Sequence, residues 1–294
     1  MKNKLWLLFI LITVCTWGVW GAFSDLQMDK EGIPETVVYI LWALTMIPCA
    51  IVALIINKGK FKFDGKSALL GCTVGLLGAG GQLVLFKALA IGPAYIIFPF
   101  ISMSPVVVIT LAAVFLKEKA TKWQIAGIIV ALAAILLLSI QTGGGDSPVS
   151  GWLWIVLAIL VLFAWGIQGF FMKFANNSMD AESIFVWMAL TGLLLIPVAW
   201  FMDSDPMTAS EFFAQEGIAK ASLGCFGIQI LNSIGALTLV YAYRYGKAVI
   251  VSPMEGLSPM VTVLLSLIIL QVIPNPLQIA GICCAAFAMY ALSK

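Results

Sequence analysis

Apolar runs of about twenty residues follow one another along almost the whole chain, with short polar connections between them. A run of that length crosses a hydrocarbon core of about 30 Å when it forms an α-helix. Only 10% of the 294 residues are charged, whereas a soluble domain keeps roughly a quarter of its residues charged. The chain is therefore predicted to be an all-α integral membrane protein.

The apolar runs predict ten transmembrane helices. The predicted spans are 4–23, 35–56, 67–89, 94–116, 122–140, 151–172, 182–202, 220–242, 247–270 and 276–293. The connections are short apart from 203–219, where we expect a small interfacial helix.

Basic residues indicate the orientation of the chain. With the N-terminus in the cytoplasm, all but three of the 16 lysine and arginine residues fall at cytoplasmic ends or loops, the exceptions being Lys30, Lys87 and Lys220. Positive residues are retained on the cytoplasmic side of membranes. We therefore expect a multi-pass protein of the inner membrane of a bacterial-type cell, with both termini in the cytoplasm.

The sequence repeats itself at a distance of 154 residues. "IIFPFISMSPVVV" at 96–108 aligns with "IVSPMEGLSPMVT" at 250–262, and "QIAGI" at 124–128 recurs at 278–282. About a third of the positions are identical over more than about fifty residues, which indicates an internal duplication.

The duplication divides the chain into two halves of five spans each. The halves are 1–140 and 151–294, and the Gly/Ser/Pro-rich stretch 141–150 joins them as a linker. Because five is odd, the second half enters the membrane from the opposite side, which predicts two inverted five-helix repeats. In such folds the substrate site lies near the midplane, between the repeats.

Several of these motifs resemble one known family. They are the Trp-Gly pairs in "WGVWGAF" (17–23) and "WGIQGFF" (165–171), the two prolines of each fourth span, and "FLKEKATKWQIAGIIVALAAILLLS" at 115–139. Together they resemble the drug/metabolite transporter superfamily, specifically its ten-helix EamA-type members. The resemblance implies secondary transport of a small metabolite, often export, without ATP and without enzymatic activity.

Glu255 is the leading candidate for a site residue. It lies about eight residues, or about 12 Å, inside the ninth predicted span. An ionised carboxylate near the centre of a membrane helix costs roughly 2.5–3.5 kcal/mol, so such a residue usually has a function. Glu255 could exchange a proton or hold an amino group. The alternative is a protonated glutamate that joins two helices structurally.

Polar residues of the eighth span form a second candidate group. Gln229, Asn232 and Ser233 have the spacing i, i+3, i+4, so they share one face of a helix. Amide side chains are costly in lipid, so this face is expected to point into the helix bundle. Substrate binding and interhelical hydrogen bonding are both consistent with this pattern.

Further candidates come from the other spans. The candidate binding residues are Trp17, Trp165, Ser102, Ser258 and Gln82. The candidate helix-bending residues are Pro99, Pro105, Pro253 and Pro259, because proline removes a backbone donor and frees a carbonyl. Freed carbonyls at membrane depth are tolerated inside protein or along a cavity. Packing is the alternative role for the tryptophans and prolines.

The composition excludes several functions. The chain has no histidine and its six cysteines lie in apolar runs, so we expect no metal site, no cofactor and no catalytic residues. A net charge of +2 gives no indication of nucleic-acid binding. The leading hypothesis is a secondary transporter of an amino-acid-like solute, with Glu255 as the candidate for proton coupling. A sugar uptake permease and a flippase for a lipid-linked substrate are the alternatives.

Overall fold

The computed structural model describes residues 4–31, 33–91, 97, 100–139, 152–202, 208–215, 218–269 and 275–294. All regular structure within these ranges is helical. The helices are α1 (Leu5–Glu31), α2 (Glu35–Ile56), α3 (Gly65–Ile91), α4 (Ser104–Phe115), α5 (Lys122–Ser139), α6 (Leu153–Ala175), α7 (Ala181–Leu194), α8 (Ile196–Phe201), α9 (Ala209–Phe213), α10 (Ile218–Tyr245), α11 (Ala248–Glu255), α12 (Ser258–Ile269) and α13 (Pro276–Leu292). The short helix α9 lies where a small helix was expected in 203–219.

Seven helical segments of the described chain are long and apolar enough to cross a membrane. They are Leu5–Phe23, Glu35–Ile56, Gly65–Leu85, Leu153–Ala175, Ala181–Phe201, Ile218–Tyr245 and Ala248–Leu265. Three shorter apolar helices, α4, α5 and α13, accompany them. The prediction of an all-helical, multi-pass membrane protein is therefore confirmed, while the count of ten crossings stays a prediction.

Two of the predicted helix-bending residues, Pro105 and Pro259, lie at the start of helices and do not bend a continuous helix. The ninth predicted span is divided, because α11 ends at Glu255 and α12 begins at Ser258, so Pro259 lies in the first turn of α12. Pro105 lies in the first turn of α4. A proline is tolerated there because the first amides of a helix have no intrahelical acceptor.

Of the other two predicted helix-bending residues, Pro253 lies within a described helix and Pro99 does not. Pro253 lies inside α11, where it is buried and cannot donate a backbone hydrogen bond. Pro99 lies outside the described residues, as does the predicted linker 141–150.

The helices of the two predicted halves pack on each other. α1 packs on α10 and α12, α6 packs on α3 and α4, and α5 packs on α13. Close approach in these pairs depends on glycine. A Cβ atom at Gly18 would overlap the side chain of Val261, and one at Gly166 would overlap that of Val107. Val107 and Val261 are 154 residues apart, so α1 and α6 make equivalent contacts.

The contact between α5 and α13 is reciprocal. A Cβ atom on Gly127 would lie 2.9 Å from Cγ of Leu292, and a Cβ atom on Gly281 would lie 2.9 Å from Cγ of Leu138. Each glycine and each leucine has its counterpart 154 residues away. Only glycine allows the two backbones to approach this closely, as small residues do at other membrane-helix interfaces.

We expect Gly127→Ala and Gly281→Ala to lower the thermal stability of the protein in detergent by similar amounts. The added methyl groups meet neighbouring side-chain and backbone atoms at about 3 Å, and overpacking of this kind typically costs about 1–3 kcal/mol. Gly227→Ala is the control, because its added Cβ atom meets nothing within 4 Å. Unfolding temperatures measured by size-exclusion chromatography after heating would check this. Equal stability of all three variants would contradict the packing argument.

Candidate functional site

A cavity of about 320 Å³ lies among the helices. Seven of the nine predicted binding residues line it, namely Glu255, Asn232, Trp17, Trp165, Ser102, Ser258 and Gln82. Pro105 and Pro259 line it as well, so the helix starts that they form face the cavity. Residues that are far apart in sequence and belong to both predicted halves therefore meet around one space.

Gln229 and Ser233 lie behind this cavity rather than in its lining. Gln229 is 2% exposed and its Oε1 accepts a hydrogen bond from Trp20 Nε1 at 2.9 Å. Ser233 is fully buried, and its hydroxyl is hydrogen-bonded to that of Thr45 at 2.7 Å. Two roles were considered for the polar residues of the eighth span, substrate binding and interhelical hydrogen bonding. Gln229 and Ser233 have the second role, because their hydrogen bonds join α10 to α1 and α2.

Asn232 is held in a defined orientation by two tryptophans. Trp17 Nε1 donates to its backbone oxygen at 3.0 Å, and Trp42 Nε1 donates to its side-chain Oδ1 at 2.9 Å. An indole N–H is only a donor, so the atom of Asn232 that faces Trp42 must be the oxygen. The Nδ2 group then points away from Trp42, and it has no hydrogen-bond partner among the described residues. Asn232 thus offers the cavity a donor.

Trp165 makes a contact equivalent to that of Trp17. Its Nε1 donates to the backbone oxygen of Gly78 at 3.4 Å. Gly78 and Asn232 are 154 residues apart, so the two tryptophans reach the same carbonyl position in α3 and α10. The indole N–H groups of Trp17, Trp42 and Trp165 are all bonded to protein, which leaves their ring surfaces to line the cavity.

Glu255 provides the carboxyl group of the cavity. It is the last residue of α11, and its Oε2 accepts a hydrogen bond from the hydroxyl of Tyr243 at 3.1 Å. Tyr243 is fully buried. In the described part of the chain no lysine or arginine is hydrogen-bonded to Glu255. Glu255 would therefore either carry a proton and be neutral, or be ionised and pair with a cation that the described residues do not supply, such as a positively charged ligand group.

The sequence analysis did not identify Trp42 and Tyr243, which hydrogen-bond to Asn232 and Glu255. Trp42 lies in a continuous apolar run, and its role depends on Asn232, which is 190 residues away. Tyr243 lies twelve residues before Glu255, and only the corner between α10 and α11 brings the two together. A tyrosine within about a dozen residues of a membrane carboxylate is a signal that could have identified Tyr243. No local sequence pattern distinguishes Trp42 from the other tryptophans.

The chain matches one protein family over most of its length. The model of the EamA-like transporter family matches residues 4–140 and again residues 152–294. A probable terminal-alkyne amino-acid exporter of Streptantibioticus cattleyicolor is 26% identical over 285 residues, which cover 96% of this chain and 90% of the relative. An uncharacterized protein of Methanocaldococcus jannaschii is 30% identical over 131 residues, which cover 45% of this chain and 93% of that relative.

A solved crystal structure has a similar fold. It superposes with a TM-score of 0.77 at 13% sequence identity, covering 99% of this chain and 98% of the other. At that identity the likeness concerns the fold alone.

Proposed function

This chain belongs to the EamA-like transporter family, and from that premise we propose that it is a secondary active transporter that moves a small organic metabolite by alternating access. Members of this family are transporters and not enzymes. The chain is a multi-pass membrane protein. The observation that carries the proposal is the cavity among the helices, which holds a carboxyl group without a basic partner in the described residues.

The chemistry of the cavity favours an amino-acid-like substrate. Glu255 is suited to the ammonium group, and the free Nδ2 of Asn232 is suited to the carboxylate group. The rings of Trp17, Trp42 and Trp165 provide apolar surface for a side chain and can attract a cation. The amino-acid exporter of Streptantibioticus cattleyicolor, which matches nearly the whole chain, supports this class and favours export.

The size of the cavity also helps to choose between an amino acid, a sugar and a lipid-linked substrate. Ligand sites for small molecules typically measure about 300–1,000 Å³, and this cavity of about 320 Å³ is at the small end. That volume supports a single amino acid and disfavours the head group of a lipid-linked substrate. Ser102, Ser258 and Gln82 add polar groups that would also suit a hydroxyl-rich ligand, so sugar uptake is the second candidate.

We propose that the two halves, 1–140 and 151–294, are inverted repeats with five crossings each. The equivalent contacts of Gly18 and Gly166, and of Gly127 and Gly281, support a two-fold relation between them. The Methanocaldococcus jannaschii relative also supports it, because 93% of that protein corresponds to only 45% of this chain. Related halves give inward-open and outward-open states of similar energy. The excess of basic residues on the predicted inner side favours cytoplasmic termini. We also propose that 141–150, which is rich in Gly, Ser and Pro, is the linker, and that the protein lies in the inner membrane.

Transport by the purified protein in liposomes tests the proposal. We expect uptake or efflux of at least one apolar L-amino acid, and faster movement when a pH gradient is imposed. The panel should include L-leucine, L-phenylalanine, L-methionine, L-lysine, D-glucose and D-xylose, with protein-free liposomes as the control. Sugar movement without amino-acid movement would favour the second candidate. Movement of neither class, in either direction, would contradict the proposed function.

A further inference from the structure

The short helix α11 carries Glu255 at its end. All residues from Ala248 to Met254 are buried, so α11 has little contact with lipid or water. Pro253 has no N–H group and therefore leaves the carbonyl of Val249 without its intrahelical partner. This helix of eight residues with one internal bond missing is held by its packing and by polar contacts at its ends.

The contact at the first turn of α11 comes from Glu118. Its Oε2 accepts a hydrogen bond from the backbone N–H of Val249 at 3.1 Å. The backbone N–H of Ala248 also favours the ionised form of this carboxyl group and so acts to lower its pKa, against the effect of burial. A carboxylate at this end of a helix is favoured because the first N–H groups are free and carry partial positive charge. Glu118 belongs to the connection between α4 and α5, so it reaches α11 from the other half of the chain.

The backbone of the connection directs Glu118 towards α11. Lys117 has a φ of 53°, which is the left-handed conformation that ends many helices, and the N–H of Glu118 bonds back to the carbonyl of Ala112 at 3.2 Å. Burial raises the pKa of the Glu118 carboxyl, while the N–H of Val249 and the ammonium group of Lys173 oppose this shift. Glu118 is thus partly buried against the first turn of α11.

Lysine side chains fix the neighbouring corner between α10 and α11. Lys173 Nζ donates to the carbonyls of Tyr243 and Gly246 at the end of α10. Lys247 Nζ donates to the carbonyl of Lys119 at 2.6 Å. The end of α10 and the start of α11 are therefore both held by polar groups from other segments, and Tyr243, which binds Glu255, lies in this region.

We propose that Glu118 is a positioning residue for Glu255. It fixes the first turn of α11, and α11 carries this restraint over about 10 Å, at 1.5 Å per residue, to the carboxyl group in the cavity. The proposal rests on the proposed function, in which Glu255 binds the ammonium group of the substrate. Glu118 does not line the cavity, so it acts through α11 and not by contact with the substrate.

Binding of two matched ligands tests this proposal. L-leucine carries the ammonium group, whereas isocaproate is its analogue without that group. We expect Glu118→Ala to weaken L-leucine binding by about tenfold, within the range of coupling in one hydrogen-bond network, and to leave isocaproate binding unchanged. Glu118→Gln keeps an acceptor for Val249 and should restore most of the affinity. A general loss of structure would weaken both ligands equally and would overturn the proposal.

A second measurement needs no ligand. Dicyclohexylcarbodiimide modifies protonated carboxyl groups in membranes, and mass spectrometry of the modified peptides identifies Glu255. We expect Glu118→Ala to change the rate of Glu255 modification severalfold and Glu118→Gln to change it little. Glu182→Ala is the matched control, because Glu182 accepts a hydrogen bond from Tyr241 of α10 at 2.7 Å and has no hydrogen bond to α11 among the described residues.

The two measurements separate this proposal from the proposed function. If the wild-type protein neither binds nor moves any amino acid, the proposed function fails, and carbodiimide modification still decides the role of Glu118. If the wild-type protein transports L-leucine but Glu118→Ala leaves the modification rate of Glu255 unchanged, the positioning role is wrong while the transporter proposal stands.

Discussion

Replacement of Glu255 by glutamine is expected to abolish pH-driven transport and to leave the protein folded. Glutamine has the same shape, and its side-chain oxygen can still accept the hydrogen bond of Tyr243. It cannot carry a proton between the two sides of the membrane or pair with an ammonium group. Loss of one partner from a buried charged pair typically costs about 2–5 kcal/mol, so we expect amino-acid binding to weaken by roughly 30-fold or more.

The measurement is amino-acid flux into proteoliposomes with and without an imposed pH gradient, together with the unfolding temperature in detergent. Glu182→Gln is the control, since Glu182 is an acidic residue that also accepts a hydrogen bond from a tyrosine, Tyr241, and does not line the cavity. We expect this control to keep normal flux. If Glu255→Gln keeps full pH-driven flux, Glu255 has a structural role, namely the interhelical bond to Tyr243, even if transport itself survives.

The sequence predicted the general arrangement of the site because repetition and polarity are visible without a structure. The 154-residue repeat aligned Glu255 with Ile101 and thereby marked the carboxyl group as specific to one half. Both residues line the cavity. Periodicity also placed Asn232, Gln229 and Ser233 on an inward-facing side of a helix, in agreement with their burial or their position at the cavity.

Tertiary distances limited what the sequence could predict in detail. Helical spacing alone does not tell that Asn232 faces the cavity while Gln229 and Ser233 lie behind it, since this depends on where α1 and α2 pack against α10. Pro253 and Pro259 predicted a bend in the ninth span but not the position of its break at Gly256, because a mean hydropathy over twenty residues does not reveal a local end of a helix. The partners of Glu255 and Asn232 depend on such packing, and hydrophobic pattern carries little information about it.

Replacement of Asn232 by aspartate is expected to reduce amino-acid transport by about 10- to 100-fold. Aspartate keeps the oxygen that accepts from Trp42, so the contact between α2 and α10 is preserved. The other atom changes from a neutral donor to a negatively charged acceptor, which repels the substrate carboxylate. A hydrogen bond to a charged group is worth about 1.5–3 kcal/mol, and the repulsion adds to this loss.

The ligand pair for this variant compares L-leucine with an analogue that lacks the carboxylate, whereas the pair used for Glu118 compares it with an analogue that lacks the ammonium group. Isopentylamine has the ammonium group of leucine without its carboxylate, so Asn232→Asp should bind it at least as well as the wild-type protein does. Asn232→Leu provides the structural control, because it removes the acceptor of Trp42 and should lower the unfolding temperature. Equal loss of L-leucine and isopentylamine binding in Asn232→Asp would contradict a contact between Asn232 and the carboxylate. Selective loss of L-leucine would place the substrate carboxylate at Asn232, because only the carboxylate distinguishes the two ligands.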